Sequence, residues 1–167
     1  MRMSEGVEWA LHGCLNLTWL PPGRAVPAAK LAEFYDLPAA YLNKQFQALA
    51  RAGVVTSTPG KRGGFRLARD PERITLLDIV VAIEGGGEAF RCDELLRRGP
   101  GADPGTDYRQ ACLVSQAMRR ADLAWRRELA AQTLAGLKAD VERRYPAAPE
   151  NTRARFAELM TPEGTTA

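Results

Sequence analysis

The sequence predicts a mainly α protein: a winged helix-turn-helix with a small β-hairpin wing and a long C-terminal dimerisation helix. Three observations carry this reading. Apolar residues recur at helical spacing through most of the chain, two short β-type runs flank a glycine-rich basic turn, and one helical pattern runs from Gln110 to Tyr145.

Each element has a local reason. Residues 4–19 show an apolar face of Val7, Leu11, Leu15 and Leu17, and Pro21-Pro22-Gly23 stops that helix. Val26-Pro27 opens a second helix, Ala28–Tyr35, with Leu31, Ala32 and Phe34 directed inward. Asp36-Leu37-Pro38 reads as a turn, with Pro38 suited to the first position of the next helix. That third helix, 38–52, buries Leu42, Phe46 and Leu49 and is closed by Gly53. Val54–Thr58 and Phe65–Leu67 make the hairpin around Pro59–Gly64. Ile74–Glu84 is an apolar helix with Thr75 as its cap and three glycines after it.

Residues 88–110 read as a loop. The 110–145 helix carries Leu113, Met118, Leu123, Trp125, Leu129, Leu134, Leu137 and Val141, and a lone helix of that length needs a packed face, which a second subunit would supply. A short helix at Thr152–Met160 is expected in the tail. The chain thus divides into a DNA-binding domain (1–87), a loop (88–110), a dimerisation helix (111–145) and a tail (146–167).

Composition narrows the function classes. With 46% hydrophobic and 26% charged residues, the 167-residue chain has the balance of a globular protein, and its apolar runs are too short to span a membrane. The acidic residue within MRMSEGVEWALHG argues against a secretory signal, so a cytoplasmic location is expected. Three scattered cysteines do not make a secreted disulfide framework, and a single histidine restricts acid–base designs. No Cys-x-x-Cys pair, phosphate loop, dinucleotide fingerprint or Ser-His-Asp set supports an enzyme.

The charge is uneven. Residues 20–70 hold eight Lys/Arg against three acids, while 71–167 hold fourteen against fifteen. A polyanion is drawn to the first third of the chain, where the helix–turn–helix–hairpin order lies. The third helix would enter the major groove, presenting Tyr41, Asn43, Lys44, Gln45, Gln47 and Arg51, while Lys61 and Arg62 at the wing tip suit phosphates or the minor groove. Taken singly, each is an ordinary solvated side chain or hairpin tip; the order and the charge together favour double-stranded DNA.

The run LAEFYDLPAAYLNKQFQALARAGVVTSTPGKRGGFRLARDPERITLLDIVVAIEG resembles the core of the Rrf-type winged-helix regulators, most specifically at LARAGVVTSTPGKRGGFRL and the following ITLLDIVVAIEG. The resemblance spans about residues 5–140. It implies a homodimer joined through the long helix, with two recognition helices and two wings on a pseudo-palindromic operator.

Many members of that family hold an iron–sulfur cluster on three closely spaced cysteines. Here the loop offers only Cys92 and Cys112, so either other ligands complete a cluster or the site is empty. Glu8 and His12 are four residues apart on one helix face, and both residue types bind iron. Cys14 lies about 200° round the helix from His12 and reads as a small buried hydrophobe. The segment Glu8-Trp9-Ala10-Leu11-His12, with Cys92 and Cys112, resembles the RsrR branch of the family. That resemblance implies a [2Fe–2S] cluster bound by Cys92 and Cys112 of one subunit and Glu8 and His12 of the other, with Trp9 as a redox-gating element. A Cys92–Cys112 thiol–disulfide switch, a zinc site on the same four residues, and a cluster-free regulator answering a small molecule are the alternatives.

Overall fold

The computed structural model describes residues 3–60 and 63–161. It is mostly helical with one two-stranded antiparallel hairpin, as expected. Helices α1 (Glu5–Thr18), α2 (Ala28–Phe34) and α3 (Ala39–Arg51) precede strands β1 (Val55–Thr58) and β2 (Gly64–Leu67). Helices α4 (Leu76–Glu84), α5 (Tyr108–Ala111), α6 (Leu113–Ala131), α7 (Leu134–Arg144) and α8 (Ala148–Met160) follow.

The core gathers α1, α2, α3, α4 and the hairpin around Phe46, Leu31, Leu42, Leu49, Ile74 and Ile79, each at most 2% exposed. Phe46 and Phe65 join α3 to the wing, with ring centroids 5.2 Å apart. Two glycines in α1 set its distance from α3. A Cβ on Gly13 would lie 2.6 Å from Phe46 Cζ, and one on Gly6 would lie 2.9 Å from the Gln45 amide carbon. The hairpin is anchored by Val26, which exchanges two backbone hydrogen bonds with Phe65 at 2.9 and 2.8 Å. Gly64, at φ +147°, makes that approach possible, because a Cβ there would meet the Val26 carbonyl at 2.2 Å. Thr75 caps α4 as its sequence suggests, in a reciprocal capping box with Asp78.

The continuous 110–145 helix is corrected. The chain has a short α5, a kink at Cys112, then α6 and α7 separated by extended backbone at Gln132 and Thr133. The reason is non-local: Leu76 N–H donates to the Gln132 carbonyl (2.9 Å) and Leu134 N–H to the Ile74 carbonyl (2.8 Å). This Thr75–Thr133 bridge pulls the chain out of helix, and Thr133 Oγ1 then caps α7 by accepting from Gly136 N–H at 3.0 Å. The tail helix also starts earlier than expected, at Ala148, and its Phe156 stacks on Phe34 of α2. Inside the 88–110 loop lie a 3-10 turn, Leu95–Arg98, and most of α5.

α7 packs along α1, where Trp19 Nε1–H donates to Glu142 Oε1 at 2.8 Å. α6 is different: of its nineteen residues only Ser115 is buried. Its Leu113, Val114, Met118 and Leu123 remain exposed.

The glycine contact yields a direct test. Gly13→Ala forces a methyl into the buried Phe46 ring, and we expect a loss of about 1–3 kcal/mol in urea unfolding. A Gly23→Ala control meets no neighbour within 4 Å and carries only the cost of its positive φ.

Candidate functional site

The surface expected to face DNA is built on α3. Apolar Leu42, Phe46 and Leu49 fasten one face to the core, which leaves Tyr41, Asn43, Lys44, Gln47 and Arg51 exposed. Gln45 departs from the expected set. It is 7% exposed and lies over Gly6 of α1, so it belongs to the α1–α3 packing and not to the outward face. Its position, three residues after Leu42 and four before Leu49, already places it on the inner stripe. Tyr41 is also engaged, its ring meeting Trp9 edge-on with centroids 5.1 Å apart. Lys61 and Arg62 lie outside the described residues. The hairpin on either side of them pairs Thr58 with Gly64 and Val55 with Leu67.

Of the residues expected to sense, Glu8 and His12 both face solvent from α1, one turn apart. They sit at the shared rim of two concavities. One, of about 470 Å³, runs between α1 and α7 over Val7, Leu11, Leu15, Leu137 and Val141. The other, of about 290 Å³, is lined by Glu8, Trp9, His12, Tyr35 and Leu37.

Tyr35 is a neighbour that the sequence reading missed. Its ring stands edge-on to His12 at 5.8 Å, and its hydroxyl accepts from Asn16 Nδ2–H at 3.0 Å. Burial raises its phenol above the usual range, and the Asn16 hydrogen bond opposes that rise. No motif announces this contact, because it depends on how α1 crosses the end of α2.

Cys92 and Cys112, separated by the whole loop, line one cavity of about 400 Å³ with Phe90, Leu95, Leu96, Tyr108, Leu113 and Val114. Both are partly exposed free thiols. Cys14 is fully buried, and desolvation pushes its thiol up to about 12, so it stays protonated and inert at neutral pH. Within one chain the structure brings Glu8 to His12 and Cys92 to Cys112. Among the described residues, no group of three or more His, Cys, Asp and Glu is placed to hold a metal.

The N-terminus of α1 is fixed to the helix that leads into the cysteine loop. Ser4 donates from its backbone N–H (2.8 Å) and hydroxyl (2.6 Å) to Glu84 Oε1 at the end of α4, which holds that carboxyl below its usual range. Arg126 of α6 reaches back to the Gly86 and Gly87 carbonyls, at 3.4 and 2.5 Å. No helix among the described residues is long and apolar enough to cross a membrane.

Residues 3–140 match the Rrf2 family, described as an iron-dependent transcriptional regulator. The chain is 31% identical over 145 residues to the HTH-type transcriptional regulator YffB of Lactococcus lactis, covering 87% of this chain and 92% of that protein. It is 38% identical over 87 residues to the HTH-type regulator BadM of Rhodopseudomonas palustris, covering 52% of this chain and 55% of BadM. Among solved structures, IscR of T. potens superposes with a TM-score of 0.63 at 21% identity, covering 87% of this chain and 91% of IscR. CymR, the global cysteine regulator of B. subtilis, does so with a TM-score of 0.60 at 21% identity, covering 83% of this chain and 97% of CymR. At that identity the two structures speak to the fold alone. The family match and the helix–turn–helix–hairpin order agree, and the chain belongs to the Rrf2 family of DNA-binding transcriptional regulators, not to a family of enzymes.

Proposed function

We propose that the protein is a homodimeric repressor whose operator binding follows the redox state of a [2Fe–2S] cluster, as the resemblance to the RsrR branch implies. The observation that carries this reading is the continuity of two surfaces. The α6 residues that lack an internal partner, Leu113 and Val114, also line the cavity that holds Cys92 and Cys112. A second subunit that covers α6 therefore reaches the cysteines as well.

Along the open side of α6, Val114, Ala117, Ala121 and Ala124 succeed one another at three- and four-residue spacing with Met118 beside them, all exposed. Small residues at this spacing let a second helix approach closely. We take that partner to be α6 of a second copy. Each half then offers two ligand pairs: thiols on the loop, and a carboxylate and an imidazole on the rim of α1.

The donor set fits a two-iron cluster. Cys92 and Cys112 are accessible from one cavity, Cys14 is removed by burial, and Glu8 and His12 make no hydrogen bond among the described residues. When bound, such a cluster supplies a one-electron redox change, and imidazole in place of thiolate lessens its negative charge and raises its potential. The chain supplies the ligand frame. Trp9, beside Glu8, touches Tyr41 on the reading helix, so a shift of α1 at the ligands bears directly on α3.

The second reading, a thiol–disulfide switch between Cys92 and Cys112, rests on the same cavity and needs no α1 ligand. Iron and sulfide analysis of anaerobically purified protein, with electron paramagnetic resonance of the reduced form, separates the two. We expect iron and sulfide in the native chain and in Cys14→Ala, loss of both in Cys92→Ala and Cys112→Ala, and an altered spectrum in His12→Ala. Iron-free native protein whose operator affinity still responds to a disulfide reductant establishes the thiol switch instead.

For DNA, Lys44→Ala/Arg62→Ala is expected to reduce the slope of log affinity against log salt by about two and to weaken operator binding at least tenfold, read by fluorescence anisotropy. Unchanged binding would remove α3 and the wing tip from the interface. For assembly, Met118→Glu/Ala121→Glu should shift sedimentation from dimer to monomer while leaving far-ultraviolet circular dichroism intact. A dimer that survives both charges must be held by another surface.

A further inference from the structure

We propose that the chain carries an oxyanion-binding site between the cysteine loop, α5 and the first turn of α6, suited to a small molecule bearing a phosphate, sulfate or carboxylate group. The site is a cavity of about 260 Å³ lined by Glu88, Arg91, Cys92, Arg109, Ser115 and Arg119. Three guanidiniums face one carboxylate there, leaving an excess of two positive charges.

The existing bonds do not satisfy those donors. Arg109 Nε–H donates to Glu94 Oε1 at 2.7 Å, and Arg97 already shares that carboxylate. Arg119 donates one N–H to the Arg109 backbone carbonyl. Arg91 makes no ion pair among the described residues and is exposed. Each guanidinium has five N–H donors, so most remain open to a ligand. An oxyanion accepts such a fork in a bidentate way, which water does not reproduce.

Ser115 forms the α6 wall of this cavity. It is the only buried residue of α6, and its short side chain leaves the wall open beside Arg119. It also stands in the first turn of α6, where unpaired N–H groups and the helix dipole favour negative charge. The donors come from three separate segments, so an anion held by all of them fixes the cysteine loop to α6. This inference depends on neither the cluster nor the DNA reading.

The test is titration of the full-length protein with sodium sulfate, sodium phosphate and sodium succinate at constant ionic strength, followed by calorimetry and thermal unfolding, with iron content measured in parallel. Saturable binding of at least one anion is expected, weakened about tenfold or more in Arg91→Met/Arg119→Met and less in Ser115→Ala. Saturation by sulfate or phosphate identifies a phosphate- or sulfate-type ligand, and saturation by succinate alone a carboxylate. Should the double variant fail to fold, Arg91→Gln at its exposed position must still weaken binding. Absence of saturable binding to the native chain, or equal binding in a folded variant, overturns the site whatever the iron content.

Discussion

Gly6 and Gly13 allow α1 to lie on α3 with Gln45 and Phe46 pressed directly against its backbone, and the placement of both functional surfaces follows from that contact. A side chain at either glycine would hold the helices apart. Close packing of this kind transmits displacement, because a dense interior has few intermediate arrangements. The residues of α1 that face away from α3 are Glu8 and His12; those of α3 that face away from α1 include Asn43, Lys44 and Gln47. One two-helix unit therefore carries the ligand candidates on one side and the residues proposed to face DNA on the other. The Trp9–Tyr41 edge contact bridges the two sides.

The second constraint is the Thr75–Thr133 bridge. By stopping the helix after Ala131 it turns α7 back across α1, where Trp19 and Glu142 join, and it leaves α6 projecting with one buried residue. Had the helix run on, Leu134, now fully buried, would have been carried away from Ile74 and the core. The break thus separates two jobs that a continuous helix would mix. α7 closes the core of its own chain, and α6 keeps an exposed apolar side, the surface proposed above for a partner. A nineteen-residue helix with one buried residue, packed within its own chain mainly on α4, owes little stability to propensity and gains from further packing.

What was legible in the sequence is what short-range chemistry dictates. The stripe of Leu42, Phe46 and Leu49, the pairing of the two hairpin strands, and the Thr75 cap are local patterns, and each forms as expected. Gln45 is polar, yet its spacing from Leu42 and Leu49 puts it on the inner stripe, where its amide lies over Gly6 and is buried. The α6–α7 break was illegible for another reason. Its cause is two backbone hydrogen bonds from residues more than fifty positions earlier, and the apolar pattern runs through Gln132 without interruption. The pairing of Cys92 with Cys112 in one cavity likewise depends on loop folding that no periodicity encodes.

The cysteine loop differs from the core in what holds it. Around the core the contacts are apolar and buried. Around the loop they are ion pairs of Glu94 with Arg97 and Arg109, an Asp103 side chain accepting from Gly105 and Thr106, and Arg126 on two glycine carbonyls. Such exposed polar contacts contribute little individually, and segments held by them open at low free-energy cost. The proposed sensing role needs that property: chemistry at a half-buried thiol can rearrange a loop of this kind without unfolding the domain beside it. Its two ends are nonetheless tethered, one to α4 by the glycines after Glu84 and the other to the start of α6 at Cys112. A change in the loop would therefore reach the start of α6, the helix proposed to meet a partner subunit, and through α4 and the Ser4–Glu84 contact the N-terminus of α1. Under the proposed dimer, the weakly held segment lies between the two surfaces whose relative position would decide whether both halves engage one stretch of DNA.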